Sequence, residues 1–216
     1  MEAQGKTLMR AWLAILALLF LTACGNDRPK FSPLPAGTAV LAFGDSVTWG
    51  TGAAPGEDYP TQLAALSGWQ IANAGIPGDL AETARHRIDE ALAEHAPRLV
   101  LVELGGNDFL RRRAEGEVTE DLRAILRAIR DAGVQPVLVA VPAFSPIGAA
   151  TGNLKDAALY RRLAQEENVP LIETVFADVL SESTLRADPI HPNASGYRRL
   201  AEGIAKALQG HGLLGR

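Results

Sequence analysis

The chain has 216 residues, a formal net charge of −4 and a single cysteine. Its length is that of one α/β domain, and 47% hydrophobic residues suffice for a sizeable core. A single cysteine excludes an intramolecular disulfide, so that core alone must stabilise the domain. The mildly acidic balance excludes the basic surface on which a nucleic-acid-binding protein depends, and we expect no nucleic-acid partner.

The N-terminal residues have the features of an export signal. Basic residues precede an apolar run over residues 11–21, which is too short to cross a bilayer and has the length of a signal-peptide core. The run ends in Leu-Thr-Ala-Cys at residues 21–24, which resembles the bacterial lipoprotein signal, whose cysteine is diacylated and becomes the first residue. We therefore predict a lipoprotein signal peptide over residues 1–23. The alternative is an ordinary signal peptide cleaved near Ala23.

Lipidation of Cys24 would attach the protein to a membrane. Two acyl chains hold a protein stably on a bilayer where one chain binds only marginally. We expect the location to be the bacterial cell envelope, on the periplasmic or another extracytoplasmic face. Residues 24–37 contain three prolines and are predicted to form an extended tether to a domain over residues 38–216.

From residue 38 onward, short apolar runs alternate with amphipathic stretches. The apolar runs predict strands at Ala39–Phe43, Gln70–Asn73, Leu99–Leu104, Pro136–Val141 and Pro170–Ile172. The amphipathic stretches predict helices at Tyr59–Leu66, Leu80–Glu94, Glu120–Ala132, Leu154–Glu167 and Ala194–Leu208. This alternation indicates right-handed βαβ units and a parallel sheet covered on both faces. We predict a flavodoxin-like three-layer α/β/α domain with a five-stranded parallel sheet in the order 2-1-3-4-5.

Chemically active residue types follow four of the predicted strands. Ser46 follows the first strand, Gly78 the second and Asn107 the third, and Asp188 and His191 lie beyond the fifth. Loops that follow parallel strands emerge at one edge of the sheet, which is where open α/β sheets bind ligands. The sequence therefore predicts that these five residues meet at that edge.

These segments resemble, in order, the four signature blocks of the SGNH hydrolases, the GDSL esterase/lipase family. The matching runs are Gly44-Asp45-Ser46, Pro77-Gly78-Asp79, Gly105-Gly106-Asn107-Asp108 and Asp188-Pro189-Ile190-His191. Residues 102–108 and 190–193 especially resemble the exported branch with thioesterase, lysophospholipase and arylesterase activity. Two features depart from the family pattern. Many members have Ser or Thr at the position of Pro77, and most familiar relatives in that branch are soluble, whereas this chain is predicted to be lipidated.

The chemistry of these residue types favours a serine hydrolase. Ser46 would attack an acyl carbonyl, and His191 would take the serine proton and later deliver it to the leaving group. Asp188, three residues before His191, would hold one imidazole nitrogen so that the other faces Ser46. The chain lacks the Gly-x-Ser-x-Gly elbow of ordinary α/β-hydrolases.

The negative charge of the tetrahedral intermediate requires hydrogen-bond donors. We predict an oxyanion hole from the backbone N–H groups of Ser46 and Gly78 and the side-chain amide of Asn107. Glycine suits a position where backbone approaches the reacting atom closely, and an amide donates without titrating. Because no His, Cys, Asp or Glu residues stand at metal-ligand spacing, we expect no metal and no cofactor.

The substrate pocket is predicted from apolar residues on the same edge. Phe109 and Leu110 directly follow Asn107, and the segment 141–150, which includes Phe144 and Ile147, is apolar through most of its length. We expect these four residues to bind substrate, although the segment could instead pack over a neighbouring helix. The predicted substrate is a small-molecule or lipid (thio)ester of short to medium acyl chain, and no obligate protein partner is evident.

Two other functions fit the same residues. The first is a glycan O-deacetylase built on the same scaffold, and the second is a catalytically silent lipoprotein that uses the pocket for binding. Some residues have simpler interpretations: Asp45 organises its loop, Asp108 caps the next segment, and Arg111-Arg112-Arg113 is a solvated charge run. A less favoured interpretation places the arginines at the rim of the site, where they bind a phosphate or carboxylate of the substrate.

Overall fold

The computed structural model describes residues 31–143 and 145–215. The predicted signal peptide, Cys24 and the first part of the predicted tether lie outside these residues. The last part of the tether contacts the domain: Leu34 N–H donates to Leu213 O at 2.9 Å, and Trp69 Nε1 donates to Leu34 O at 3.3 Å.

A five-stranded parallel sheet forms the centre of the domain. Its strands are β1 Ala39–Gly44, β2 Gln70–Gly75, β3 Leu99–Glu103, β4 Gln135–Val139 and β5 Leu171–Ile172. The order β2-β1-β3-β4-β5 and the parallel pairing confirm the predicted topology. All five residues of β3 are buried, because helices cover both faces of a parallel sheet.

Helices follow the strands and supply the outer layers. They are α1 Ser46–Trp49, α2 Tyr59–Ser67, α3 Ala81–Ala84, α4 Ile88–His95, α5 Gly106–Leu110, α6 Glu115–Asp131, α7 Pro146–Thr151, α8 Ala158–Glu167, α9 Val175–Ser181 and α10 Ala194–His211. A 3-10 turn, Ser183–Leu185, precedes the loop that leads to α10. In the part of the chain that the structure describes, none of the helices has the length and apolar character required to cross a bilayer.

The prediction of one helix over Leu80–Glu94 is wrong. Residues 85–87 form a turn that separates α3 from α4, and Arg87, with a φ of −112° and a ψ of −4°, is the N-cap of α4. This break allows the Arg87 side chain to point inward, where its Nη1 donates to Ala74 O and its Nη2 to Gly44 O, both at 2.9 Å. Tertiary hydrogen bonds thus override a continuous helical pattern.

Two other predicted helices differ in their starting points. Helix α6 begins at Glu115, one turn before the predicted Glu120. Helix α8 begins at Ala158 rather than Leu154, because the preceding segment pairs instead with the chain after β4 through a bridge between Pro142 and Asp156. The short helices α1, α5, α7 and α9 were not predicted, since four to seven residues are too few for a periodic pattern.

Candidate active site

Ser46 lies at the point where the chain turns from β1 into α1. Asp45 is the N-cap of α1, and its Oδ1 accepts a hydrogen bond from Val47 N–H at 3.0 Å. Gly44 permits the tight turn, because a Cβ atom there would lie 2.0 Å from Thr48 Oγ1. The serine is therefore the first residue of a helix that is fixed to the end of a buried strand.

His191 connects Ser46 to Asp188. Its Nε2 lies 2.9 Å from Ser46 Oγ, and its Nδ1 lies 2.7 Å from Asp188 Oδ2. The other oxygen of Asp188 accepts backbone N–H groups from Ile190 and His191, both at 2.8 Å. Burial acts to raise the pKa of Asp188, but the hydrogen bonds from the imidazole and the two amides outweigh it, so the pKa lies below its usual value. The structure thus brings together the three residues of the predicted triad.

Gly78 lies in a tight turn after β2. Asp79 N–H donates to Ile76 O at 3.1 Å, and Gly78 has a φ of +82°. Proline at the second position and glycine at the third is the preferred sequence of a type II turn, which requires a positive φ at the third residue. Pro77, which departs from the family pattern, is therefore compatible with this turn.

Asn107 is placed between the loops that carry Ser46 and Gly78. Its Nδ2 donates to Asp45 Oδ2 at 3.0 Å and to Asp79 O at 3.1 Å. Both amide hydrogens thus have acceptors within the protein, so donation to a substrate oxygen requires the amide to share or exchange one of these bonds. This constraint was not apparent from the sequence.

Two buried carboxyl groups lie beside Ser46. Asp45 is 3% exposed and Glu103 is 1% exposed. Thr48 Oγ1 donates to Glu103 Oε2 at 2.9 Å and lies 3.1 Å from Tyr59 OH, whereas Glu103 Oε1 has no hydrogen-bond partner among the described residues. Burial raises the pKa of Asp45 to about 6. Burial, followed by the charge of Asp45, also raises the pKa of Glu103 well above its usual value.

A cavity of about 360 Å³ opens beside the triad. Besides the triad members Ser46 and His191, the following residues line it: Asp45, Val47, Glu103, Gly106, Asn107, Phe109, Leu110, Val141, Pro142, Ala143, Ser145, Leu154, Phe176, Leu180, Pro189 and Ile190. Most of this lining is apolar. It comes from segments that follow β1, β3, β4 and β5, so the cavity extends across the carboxyl edge of the sheet.

The predicted substrate-binding residues have different positions. Phe109 and Leu110 line the cavity. Phe144 lies outside the described residues. Ile147 is 77% exposed and is not part of the cavity wall. The segment after β4 contributes through residues 141–143 and Ser145 instead.

The arginine run after Leu110 is not uniformly solvated. Arg111 and Arg112 are exposed, but Arg113 is mostly buried and forms ion pairs with Asp108 at 2.6 Å and Asp121 at 2.9 Å. The other oxygen of Asp108 accepts the N–H of Ala81 at 3.0 Å, so Asp108 caps the earlier helix α3 and not the segment that follows it. Arg113 therefore anchors α5 through Asp108, and its charge is already paired with carboxylates of the protein.

Several residues of the site could not be identified from sequence patterns. Phe176 and Leu180 line the cavity from α9, which was too short to predict, and Arg87 lay within a predicted helix face. Glu103 did carry a signal, because a charged residue ended an otherwise apolar strand. No group of three or more acidic, His or Cys side chains suited to a metal ion occurs within residues 31–143 and 145–215.

Comparison with known proteins identifies the family. Residues 42–199 match the model of the GDSL-like lipase/acylhydrolase family. The chain is 34% identical over 179 residues to the thioesterase 1/protease 1/lysophospholipase L1 of Escherichia coli K12, covering 81% of this chain and 85% of that protein. It is 28% identical to an arylesterase of Vibrio mimicus, covering 82% of this chain and 90% of the relative.

Solved structures agree with the sequence comparison. The crystal structure of a protein named TesA superposes with a TM-score of 0.69 at 27% identity, covering 80% of this chain and 98% of that one. The fold, the matched region and the relatives lead to one conclusion: the chain belongs to the GDSL-like lipase/acylhydrolase family and is an SGNH-type ester hydrolase.

Proposed function

We propose that the protein hydrolyses carboxylic (thio)esters through an acyl-enzyme, with Ser46 as the nucleophile. The observation that carries this proposal is the continuous hydrogen-bonded series from Asp188 through His191 to Ser46 Oγ, with distances of 2.7 and 2.9 Å. A serine hydroxyl is a weak nucleophile until a base is positioned to remove its proton. An imidazole with one nitrogen on a carboxylate and the other on the hydroxyl provides such a base.

The reaction would proceed in two halves. Ser46 Oγ attacks the acyl carbonyl while His191 Nε2 accepts its proton, and the leaving alcohol or thiol then departs with that proton. Water attacks the resulting acyl-serine with His191 again as base, which releases the acid and restores the serine. Asp188 holds Nδ1–H and stabilises the imidazolium that forms in each half.

The developing oxyanion would be bound by the N–H groups of Ser46 and Gly78 and by the Asn107 amide. Each such donor contributes about 10²–10³ to kcat in comparable sites. Asn107 would turn one of its hydrogens from Asp79 O or Asp45 toward the substrate as charge develops. The groups are already held in the loops after β1, β2 and β3, so little reorganisation is needed.

The cavity favours short to medium acyl chains. Its wall runs from Ser46, after β1, to Phe176, after β5, which is three strand steps or about 14 Å across the sheet. A saturated chain with bonds of about 1.5 Å at angles of about 111° advances about 1.25 Å per carbon, so about eleven carbons span this distance. Acyl (thio)esters of this kind are consistent with relatives named thioesterase, lysophospholipase and arylesterase. An apolar wall of this length offers no advantage to a glycan O-deacetylase.

A fluorophosphonate probe tests the proposed nucleophile. Ser46 alone should react, because it has a histidine within hydrogen-bond distance, and both labelling and esterase activity should be lost in Ser46→Ala. Ser195→Ala, which changes an exposed serine of α10, is the control and should retain both. Labelling or hydrolysis that persists in Ser46→Ala would refute the assignment.

The chain-length series on p-nitrophenyl esters tests the substrate class. We expect kcat/KM to rise from acetate to a short or medium chain and then to fall, since each buried methylene adds about 0.8 kcal/mol until the cavity is full. An optimum at acetate would support the deacetylase instead, and a lack of hydrolysis with any ester would support a binding protein.

A further inference from the structure

Arg87 connects two of the loops that hold the proposed oxyanion hole, those after β1 and β2. Its Nη2 donates to Gly44 O at 2.9 Å, and its Nη1 donates to Ala74 O at 2.9 Å. Its Nε donates to Asp79 Oδ2 at 2.8 Å, and Nη2 approaches the same oxygen at 2.8 Å. The guanidinium also lies over the ring of Phe43, 3.9 Å from its centroid. One side chain therefore contacts the end of β1, the end of β2 and the turn that follows β2.

Two of these contacts lie within two residues of a proposed oxyanion donor. Gly44 lies two residues before Ser46, and Asp79 directly follows Gly78. The carbonyl of Asp79 is one of the two acceptors of the Asn107 amide. The separation of the Ser46 and Gly78 N–H groups, and the resting position of Asn107, thus depend on groups that Arg87 holds directly or through one residue.

Arg87 is largely buried, and its contacts require a guanidinium. Only 19% of its side chain and 7% of that of Asp79 are exposed, so the ion pair is largely removed from water. Arg87 lies in the turn between α3 and α4, where its own N–H donates to Ala84 O at 3.1 Å, so its backbone stays hydrogen-bonded. A planar guanidinium can donate in several directions within one plane, which the single ammonium of lysine cannot reproduce.

We propose that Arg87 is a positioning residue for catalysis, which sets the oxyanion hole by fixing the loops after β1 and β2 relative to each other. The proposal rests on the proposed function, because it assumes that Ser46, Gly78 and Asn107 act on the substrate oxyanion. Arg87 then affects how well the oxyanion hole stabilises the transition state, and it leaves ground-state binding of the acyl chain in the cavity unaffected.

The test compares Arg87→Lys and Asp79→Asn with the matched control Arg85→Lys. Arg85 lies in the same interhelical segment, is 42% exposed at its side chain and pairs with the buried Asp121. Active sites are titrated with a fluorophosphonate so that kcat refers only to folded enzyme. We expect kcat per titrated site to fall by about 10–10²-fold in both test variants, since displacement of a catalytic group by about 1 Å costs about 10²-fold. KM should stay within about threefold, because the acyl contacts are unchanged.

A boronic acid provides the readout that a merely structural role would not change. It binds the serine as a tetrahedral adduct whose oxygen occupies the oxyanion hole, so its Ki should rise in Arg87→Lys by the same factor as kcat/KM falls. Guanidinium at millimolar concentration should partly restore kcat in Arg87→Ala by occupying the vacated site. Unchanged kcat per site and unchanged boronate Ki in Arg87→Lys and Asp79→Asn, with Ser46→Ala inactive, would overturn this proposal alone. Full activity in Ser46→Ala would overturn the proposed function itself.

Discussion

The side-chain amide of Asn107 donates to the carboxylate of Asp45 at 3.0 Å, which joins the loop after β3 to the cap of the helix that begins at Ser46. Asp45 thus has two roles: one oxygen caps α1 and the other orients the amide. The same amide hydrogen-bonds Asp79 O, so it is held in place before any substrate arrives. These bonds fix the position of the amide between the loops after β1 and β2, so we expect its removal to affect the transition state more than substrate binding.

We predict that Asn107→Ala lowers kcat by about 10²–10³ and leaves KM nearly unchanged, because the amide acts mainly on the developing oxyanion. Steady-state kinetics on one p-nitrophenyl ester measure both constants. The control is Asn168→Ala, which changes the C-cap of α8. This residue precedes β5 and so lies at the opposite, amino edge of the sheet, and its replacement should leave kcat per active site unchanged. A rise in KM with kcat intact would instead make Asn107 a substrate-binding residue.

Phe176 should limit the length of the acyl chain. It lines the cavity from α9, on the far side from Ser46, so its replacement by alanine lengthens the available space. We expect Phe176→Ala to shift the optimum of kcat/KM to longer p-nitrophenyl esters, by several methylenes, each worth about 0.8 kcal/mol when buried. Leu66→Ala, at an exposed position on α2, should leave the optimum in place. If both variants share the wild-type optimum, the chain does not extend toward α9.

Glu103 should make stability depend on pH. Its pKa is raised in the folded state by burial, so between the unfolded and the folded pKa the native protein binds more protons than the unfolded chain. Stability then falls as pH rises through this window, by up to about 1.4 kcal/mol per pH unit for one proton. The side chain introduced by Glu103→Gln cannot titrate, so the variant should become more stable relative to wild type, with a larger free energy of unfolding, as pH rises above 4.5. Urea unfolding at several pH values measures this difference.

Glu167 provides a comparison of opposite sign for the Glu103 experiment. Hydrogen bonds and ion pairs from Arg127 and Arg130 lower its pKa, so its contribution to stability is present above the unfolded pKa and lost as pH falls through the folded one. Glu167→Gln should therefore destabilise the protein at pH 7 and have less effect at low pH.

A pH-independent difference in stability between Glu103→Gln and wild type would contradict the Glu103 prediction, because it would show that Glu103 is ionised in the native protein.

Cys24 should carry the lipid anchor predicted from residues 1–24. We expect mass spectrometry of the mature wild-type protein to find acyl chains on Cys24 as its first residue, and membrane fractions to contain the protein. Cys24→Ala should yield an unprocessed precursor or a soluble form, because the lipidated cysteine is the attachment point. Wild-type protein without acyl chains at Cys24 would contradict the anchor and leave an ordinary signal peptide as the interpretation.

The order of the strands and helices, and the sheet edge that carries the candidate site, could be predicted from the amino-acid sequence. Apolar runs such as Leu99–Val102 are typical of buried strands, and their alternation with amphipathic helices favours a parallel sheet. Because Ser46, Asn107 and His191 each follow a strand, their meeting at the carboxyl edge follows from topology. Local periodicity and strand direction are properties of short stretches of chain, which a sequence displays directly.

The burial of the polar side chains and the identity of their hydrogen-bond partners became clear only from the tertiary structure. Arg87 and Glu103 are charged residues that a local pattern assigns to solvent, yet both are largely buried, because their hydrogen-bond partners come from segments distant in sequence. Likewise, the two acceptors of Asn107 lie 62 and 28 residues away. Burial of a polar group is favourable only when such partners surround it. That condition depends on the packing of the whole domain, so only the folded structure could reveal it.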